Sequence, residues 1–191
     1  LCLTGLLGIV ITGDVFNLFV FLEISSLSAY ALISLGRSRQ ALTASFQYLV
    51  MGTIGATFIL IGIGLLYMMT GTLNMADMAM QLQGSVKIGG ETKVVMETRT
   101  TLVAFAFLSV GISLKMALFP LHMWLPNAYT FAPSVVTAFI AATATKVSVY
   151  VLLRFVFTVF GADFAFARMP LDTGLMVLSL VGIVAASTAA I

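Results

Sequence analysis

Long runs of apolar residues, separated by short polar stretches, dominate the chain. A helix that crosses a bilayer needs about 20 predominantly apolar residues, and these runs reach or approach that length. They predict spanning helices over segments 1–12 (the end of a span), 15–35, 41–70, 101–119, 132–157 and from 173 onwards. The runs lack the alternation of barrel strands, so we predict an all-α transmembrane bundle of about five or six spans.

Segment 71–100 is the longest polar region, and we predict that it forms a loop outside the membrane. Its first part, TLNMADMAMQLQG, has the pattern of a short amphipathic helix, with Thr72 or Asn74 as cap and Gly84 as stop. Its second part, VKIGGETKVV, alternates around Gly89-Gly90 in the manner of a β-hairpin. The polar region therefore predicts one helix and one hairpin.

The ends and the loops indicate how the chain is organised. The chain begins without Met and stops inside an apolar run, so we interpret residues 1–191 as one transmembrane domain within a longer protein. Arg37 and Arg39 lie in the loop GRSRQ, which favours a cytoplasmic position for that loop.

Composition supports a membrane location and excludes several kinds of site. Hydrophobic residues make up 61% of the chain and charged residues 8%, whereas soluble domains contain about 25% charged residues. The chain has one cysteine and one histidine, which excludes an internal disulfide, a self-contained iron–sulfur cluster, a c-type haem site and a Cys/His zinc site. The net charge of +2 forms no basic block for nucleic acid. We expect no cofactor and no metal. Any work that the protein does would then be driven by an ion gradient or by a partner protein.

Three ionisable residues lie inside predicted spans: Glu23, Lys115 and Lys146. A charge at the middle of the membrane costs about 2.5–3.5 kcal/mol on insertion scales, so these side chains are predicted to face the bundle interior or a hydrated cavity. Glu23 and Lys146 each belong to a stripe of polar residues that the helical spacing places on one face. The stripes are Glu23 with Ser26, Tyr30 and Ser34, and Lys146 with Thr143, Tyr150 and Arg154.

The third charge lies in the stretch LKMALFPLHMWLP. Pro120 follows Lys115 by five residues, removes a backbone donor and is predicted to break the helix and free carbonyls near the lysine. Broken helices at membrane depth line cavities, and in transporters they mark ion sites. A poorly solvated lysine holds or releases its proton according to the distance of its acidic partner. The row Glu23–Lys115–Lys146 is therefore a candidate proton relay.

His122 extends this hypothesis, and simpler interpretations stand beside it. Since histidine exchanges protons near neutral pH, His122 is a candidate to pass protons between the row and the aqueous side. One alternative is that Glu23 and one lysine form a purely structural ion pair. Another is that Lys115 reaches the membrane surface from the end of its span. His122 and Trp124 are equally compatible with ordinary interfacial positions. The sequence pattern leaves these alternatives open.

Two segments resemble a known family. TGDVFNLFVFLEISSLSAYAL contains Glu23, and GISLKMALFPLHMWLPNAYTFAPSVVTAFIAATATKVSVYVLLR contains both lysines. Together they are similar to the proton-conducting antiporter-like subunits of Mrp-type cation/proton antiporters, respiratory complex I and membrane-bound hydrogenases, most of all to the Mrp D subunit. Asn127 and Tyr129 stand where many relatives have Asp and His, so neither is given a proton role.

The resemblance implies a fold of two inverted repeats, of which this chain would supply roughly the first, with one broken helix. It also implies that Glu23, Lys115 and Lys146 are the glutamate and the two lysines of the proton path. The expected partners are other membrane subunits, protons, monovalent cations and the lipid of a bacterial inner membrane.

The implied function is proton translocation within a multisubunit Na⁺/H⁺ antiporter, which is a secondary transporter and not an enzyme. A first alternative is a proton-pumping subunit of a complex I-like NADH/quinone oxidoreductase or of a membrane-bound hydrogenase, where the chain would belong to a translocase. A second alternative is a non-conducting structural membrane subunit.

Overall fold

The computed structural model describes residues 1–88 and 91–189. That part contains eight α-helices: α1 (Cys2–Ile11), α2 (Val15–Ser34), α3 (Arg39–Thr70), α4 (Met75–Gln83), α5 (Arg99–Met116), α6 (Trp124–Phe131), α7 (Ser134–Arg154) and α8 (Leu171–Ala189). Strands β1 (Ser85–Ile88) and β2 (Glu91–Val94) form an antiparallel pair. A 3₁₀ turn covers Val95–Glu97, and π-helical segments cover Phe155–Phe160 and Phe164–Arg168.

Five described helices are long and apolar enough to cross a membrane: α2, α3, α5, α7 with its π-helical continuation to Phe160, and α8. The predicted all-α bundle of five or six spans is therefore confirmed. Two connections differ from the sequence prediction. The stretch before Ser134 contains the extra short helix α6, and the predicted loop after Phe157 contains π-helical turns.

The polar region has the predicted helix and paired strands. Asn74 rather than Thr72 caps α4, because its Oδ1 accepts hydrogen bonds from the backbone N–H groups of Ala76 at 2.9 Å and Asp77 at 3.3 Å. Strands β1 and β2 pair with Ser85 opposite Val94. The predicted turn at Gly89-Gly90 lies outside the described residues. The position of this region outside the membrane stays a prediction.

Helix α3 is the longest helix, and it packs closely against α5 because small residues line the contact. A Cβ added to Gly111 of α5 would lie 2.7 Å from the carbonyl oxygen of Gly55 in α3. A Cβ added to Gly62 would lie 2.6 Å from Cγ of Leu108. Glycine thus allows an approach that a methyl group would block, as is common between membrane helices.

Helix α7 is joined to the end of α1 by two polar side chains. Arg154 Nη1 donates to the carbonyl oxygen of Thr12 at 2.6 Å, and the Tyr150 hydroxyl donates to that of Val10 at 3.3 Å. The last carbonyls of a helix lack donors within the helix and carry partial negative charge, so a guanidinium suits this position. Tyr150 and Arg154, half of the predicted α7 stripe, therefore fasten α7 to α1.

Candidate functional site: a buried ion pair between two spans

The candidate site is an ion pair between α2 and α5. Lys115 Nζ donates to Glu23 Oε1 at 2.8 Å and to the Ser26 hydroxyl oxygen at 2.9 Å. The Lys115 side chain is 4% exposed and that of Glu23 is 21% exposed. Ser26 follows Glu23 by one helical turn, so both face α5. The ammonium group is buried among protein atoms and uses two of its three N–H donors on α2.

The break after α5 differs from the break that Pro120 predicted. The helix ends at Met116, before the proline, and Ala117 adopts the left-handed conformation with φ 58°. The carbonyl oxygen of Leu114 accepts hydrogen bonds from the N–H of Ala117 and from the Trp124 indole. The carbonyls of Ser113 and Leu114 therefore accept hydrogen bonds from the turn and, at Leu114, from Trp124. The Lys115 ammonium group donates to side chains of α2. Among the described residues, it does not donate to carbonyls freed by the helix break, and it does not extend to the membrane surface.

Lys146 lies apart from this pair. Its side chain is exposed on α7, and Nζ donates to the carbonyl oxygen of Ala141 in the same helix. Within residues 1–88 and 91–189, no hydrogen bond or ion pair joins Lys146 to Glu23 or Lys115. The structure therefore brings two of the three predicted relay residues together and leaves the third on the neighbouring helix.

A small cavity extends from Lys115 to α7. It offers about 20 Å³ to the centre of a water molecule, which is room for about one water. Its lining combines Lys115 with residues of α1, α2, α3 and α7, among them Cys2, Ser25, Ser26, Tyr48, Val147 and Ser148. Ser25 and Ser148 donate their hydroxyl hydrogens to carbonyls of their own helices, so their oxygens still accept. A water here would have polar partners on both sides.

His122 lies in the turn between α5 and α6. It is half-buried, its ring centroid is 5.4 Å from that of Phe119, and its Nδ1 is buried without a hydrogen-bond partner in the described part of the chain. No described hydrogen bond connects His122 with Glu23 or Lys115. Its role in proton transfer stays a prediction.

Two aromatic residues near the site were not assigned a role from the sequence. Trp124, for which the sequence suggested an ordinary interfacial position, is 2% exposed and stacks flat on Tyr48 of α3, with ring centroids 4.0 Å apart. Tyr48 in turn meets Tyr30 of α2 edge-on at 4.6 Å. The spacing of Tyr30 from Glu23 placed both residues on the same face of α2. Tyr48 and Trp124 are far apart in the sequence, so no sequence pattern indicated that they would stack.

Comparison with known proteins identifies the family. Residues 12–191 match the NADH:quinone oxidoreductase/Mrp antiporter transmembrane family. The chain belongs to this family. The resemblance carried by the two motifs is thereby confirmed, and with it the description of the chain as part of a multi-pass integral membrane protein.

Some relatives in the family are named as subunits of NADH-quinone oxidoreductase and others as subunits of Na⁺/H⁺ antiporters. The chain is 50% identical over 155 residues to the N subunit of NADH-quinone oxidoreductase from Desulforudis audaxviator, which covers 81% of this chain and 29% of the relative. It is 36% identical over 166 residues to the D subunit of the Na⁺/H⁺ antiporter from Bacillus subtilis, covering 87% of this chain and 32% of the relative. The chain thus spans about a third or less of the length of these relatives.

A solved structure shows the same fold. A chain of the Mrp complex from Dietzia sp. DQ12-45-1b matches with a TM-score of 0.71 and 33% sequence identity, over 84% of this chain and 28% of that chain. The helices around the ion pair therefore belong to an architecture that is found in a multisubunit membrane complex.

Proposed function

We propose that this chain is the part of an antiporter-like membrane subunit in which a buried glutamate–lysine pair controls proton transfer. The observation that carries the proposal is the Glu23–Lys115 ion pair, whose lysine lines a cavity with room for about one water. Isolated intramembrane charges are costly, and those that are kept commonly mark proton and ion pathways. The family to which the chain belongs supports the same conclusion.

The proposed chemistry depends on the distance between the two charges. With Glu23 at 2.8 Å, the carboxylate compensates the ammonium charge of Lys115 and favours the protonated lysine. When the carboxylate moves away or becomes protonated, the ammonium charge stands alone in a poorly solvated site, and loss of a proton to the cavity water becomes favourable. The proton leaves as H₃O⁺ and the lysine remains as a neutral amine. Return of the carboxylate favours reprotonation.

Lys146 is the proposed receiver on α7. Its neighbour Val147 lines the cavity that Lys115 also lines, so a water in the cavity would lie between Lys115 and the residue that follows Lys146. When its side chain is neutral, the Lys146 amine has a lone pair that can accept this proton, and the resulting ammonium can donate to the carbonyl oxygen of Ala141. His122 is the proposed link to the aqueous side, because its buried Nδ1 has no described partner to occupy it.

For the complete protein, we propose a subunit of a multisubunit Na⁺/H⁺ antiporter in a bacterial inner membrane, assembled with other membrane subunits. The B. subtilis relative and the Mrp structure support this assignment. The second candidate is a proton-pumping subunit of a complex I-like quinone oxidoreductase, and the 50% identity to the D. audaxviator relative favours it. The two candidates share the relay and differ in the source of energy.

The test uses the full-length subunit in its assembled complex, reconstituted in proteoliposomes. We expect Glu23→Gln and Lys146→Ala to lower proton flux at least tenfold while assembly stays normal. The matched control is Glu97→Gln, because Glu97 is an exposed glutamate paired with Arg168 away from the cavity. Normal flux in both relay variants would overturn the relay and leave the alternative of a structural subunit.

The energy source is tested on the same proteoliposomes. An antiporter moves protons when a Na⁺ gradient is imposed, without any electron donor. A redox-driven pump moves protons only when NADH or another donor reduces quinone. Flux under the first condition supports the antiporter, and flux that requires electron transfer supports the second candidate.

A further inference from the structure

We infer that Trp124 is a positioning residue that fixes the end of α5 so that the Lys115 ammonium stays on Glu23. This inference rests on the proposed function and adds to it a residue that touches neither charge. Trp124 Nε1 donates to the carbonyl oxygen of Leu114 at 3.1 Å. Leu114 directly precedes Lys115, so the indole holds the backbone from which the lysine side chain extends.

The end of α5 needs such a support. The last four carbonyls of a helix have no donor within the helix. Here α5 ends one residue after Lys115, and the next residue, Ala117, has the left-handed φ of 58° that a non-glycine residue seldom adopts. The Leu114 carbonyl receives one hydrogen bond from the N–H of Ala117 at 3.2 Å and a second from the indole. The second bond crosses the break and connects α6 to α5.

The indole itself is held in place. Its ring stacks on Tyr48 of α3 with centroids 4.0 Å apart and planes 2° apart, and Tyr48 meets Tyr30 of α2 at 4.6 Å. Tyr30 follows Ser26 by four residues on the face that carries Glu23. The aromatic stack therefore runs from α6 through α3 to the helix that supplies both partners of Lys115. A shift of α6 would therefore move both the Lys115 donor on α5 and its acceptors, Glu23 and Ser26, on α2.

A second contact of α6 makes the inference testable. Asn127 Nδ2 donates to Gln47 Oε1 of α3 at 2.9 Å, and this bond is exposed. Loss of the indole N–H alone leaves that contact and the aromatic stack intact. An effect of the N–H on Lys115 can thus be separated from a general loosening of α6.

The experiment replaces Trp124 by 3-benzothienylalanine, which keeps the bicyclic ring and has sulfur in place of N–H. Trp124→Phe serves as the simpler variant, and Asn127→Ala as the control that removes the other α6 hydrogen bond. All are made in the full-length complex and compared for assembly, proton flux and the pH dependence of flux. We expect the benzothienyl variant to assemble normally, to lose about two- to tenfold of its flux, and to show a displaced pH profile. Asn127→Ala should leave the pH profile unchanged.

Wild-type flux and pH profile in the benzothienyl variant would overturn the inference. An equal displacement in Asn127→Ala would overturn it too, since the effect would then belong to α6 as a whole. Glu23→Gln separates this failure from that of the proposed function. If Glu23→Gln is inactive while the benzothienyl variant is normal, only the positioning role fails. If both are normal, the relay fails as well.

Discussion

Removal of either partner of the Glu23–Lys115 pair should cost far more than the pair contributes when intact. At 2.8 Å and an effective dielectric constant of about 20, two unit charges attract by roughly 6 kcal/mol. Desolvation of each ion costs several kcal/mol, so the net gain from the complete pair is small. A single partner left behind keeps its desolvation cost without the attraction, and such losses are about 3–5 kcal/mol.

The exposed fractions predict which loss is larger. Lys115 is 4% exposed and Glu23 is 21% exposed, so a lone Lys115 is less well solvated than a lone Glu23. Glu23→Ala should therefore lie at the upper end of the range of about 3–5 kcal/mol, and Lys115→Met at the lower end or below. The double variant leaves no unpaired charge. We expect it to be destabilised by less than the sum, with a coupling free energy of about 3 kcal/mol.

The assay is a double-mutant cycle on the unfolding free energy of the full-length protein in detergent micelles. The control cycle uses Glu97 and Arg168, whose ion pair is exposed, with side chains 47% and 63% accessible. Pairs of that kind contribute about 0–1 kcal/mol. If the effects of Glu23→Ala and Lys115→Met add to within about 0.5 kcal/mol, the two residues do not interact in the protein and the reasoning is refuted.

Two further predictions concern the packing that holds the site. Gly52→Ala should lower the unfolding free energy by about 1–3 kcal/mol, because the new Cβ would lie 1.9 Å from the hydroxyl oxygen of Tyr30. Tyr30→Phe removes that oxygen and should restore most of the loss; absence of rescue in a thermal unfolding assay would contradict the assignment. Arg154→Ala should cost about 1.5–3 kcal/mol, since it removes a charged hydrogen bond to the Thr12 carbonyl. Arg154→Lys should recover part of this in the same assay, and an Arg154→Ala variant as stable as wild type would show that the contact is unimportant.

Much of the fold is predictable because the bilayer allows few solutions. Apolar length alone located α2, α3 and α8 to within a few residues. The cost of inserting charges predicted that Glu23, Lys115 and Lys146 would all face the bundle interior or a hydrated cavity. The structure pairs Glu23 with Lys115, whereas the Lys146 side chain is exposed on α7. These conclusions depend on local composition and on the free energy of placing a charge in the bilayer, which is unfavourable whichever residues lie nearby.

The details of the break were not predictable in the same way. Pro120 indicated an interruption, but the helix ends earlier because Ala117 turns into the left-handed conformation, for which the local sequence has no glycine. The role of Trp124 depends on a backbone acceptor at Leu114, and every residue offers such an acceptor. Only the tertiary arrangement decides which carbonyl an indole finds.

Lys146 provides the sharpest separation of function from stability. Its side chain is exposed, and its one described hydrogen bond goes to a carbonyl of its own helix. Loss of such a contact changes stability little, so Lys146→Met should alter the unfolding free energy of the full-length protein by no more than about 0.5 kcal/mol. Lys115→Met has the opposite character, because it strips a buried partner from Glu23. If Lys146 receives protons from the cavity, its Met variant should combine wild-type stability with at least tenfold lower proton flux. A Lys146→Met protein that is both stable and fully active would remove α7 from the proton path and confine the chemistry to the Glu23–Lys115 pair.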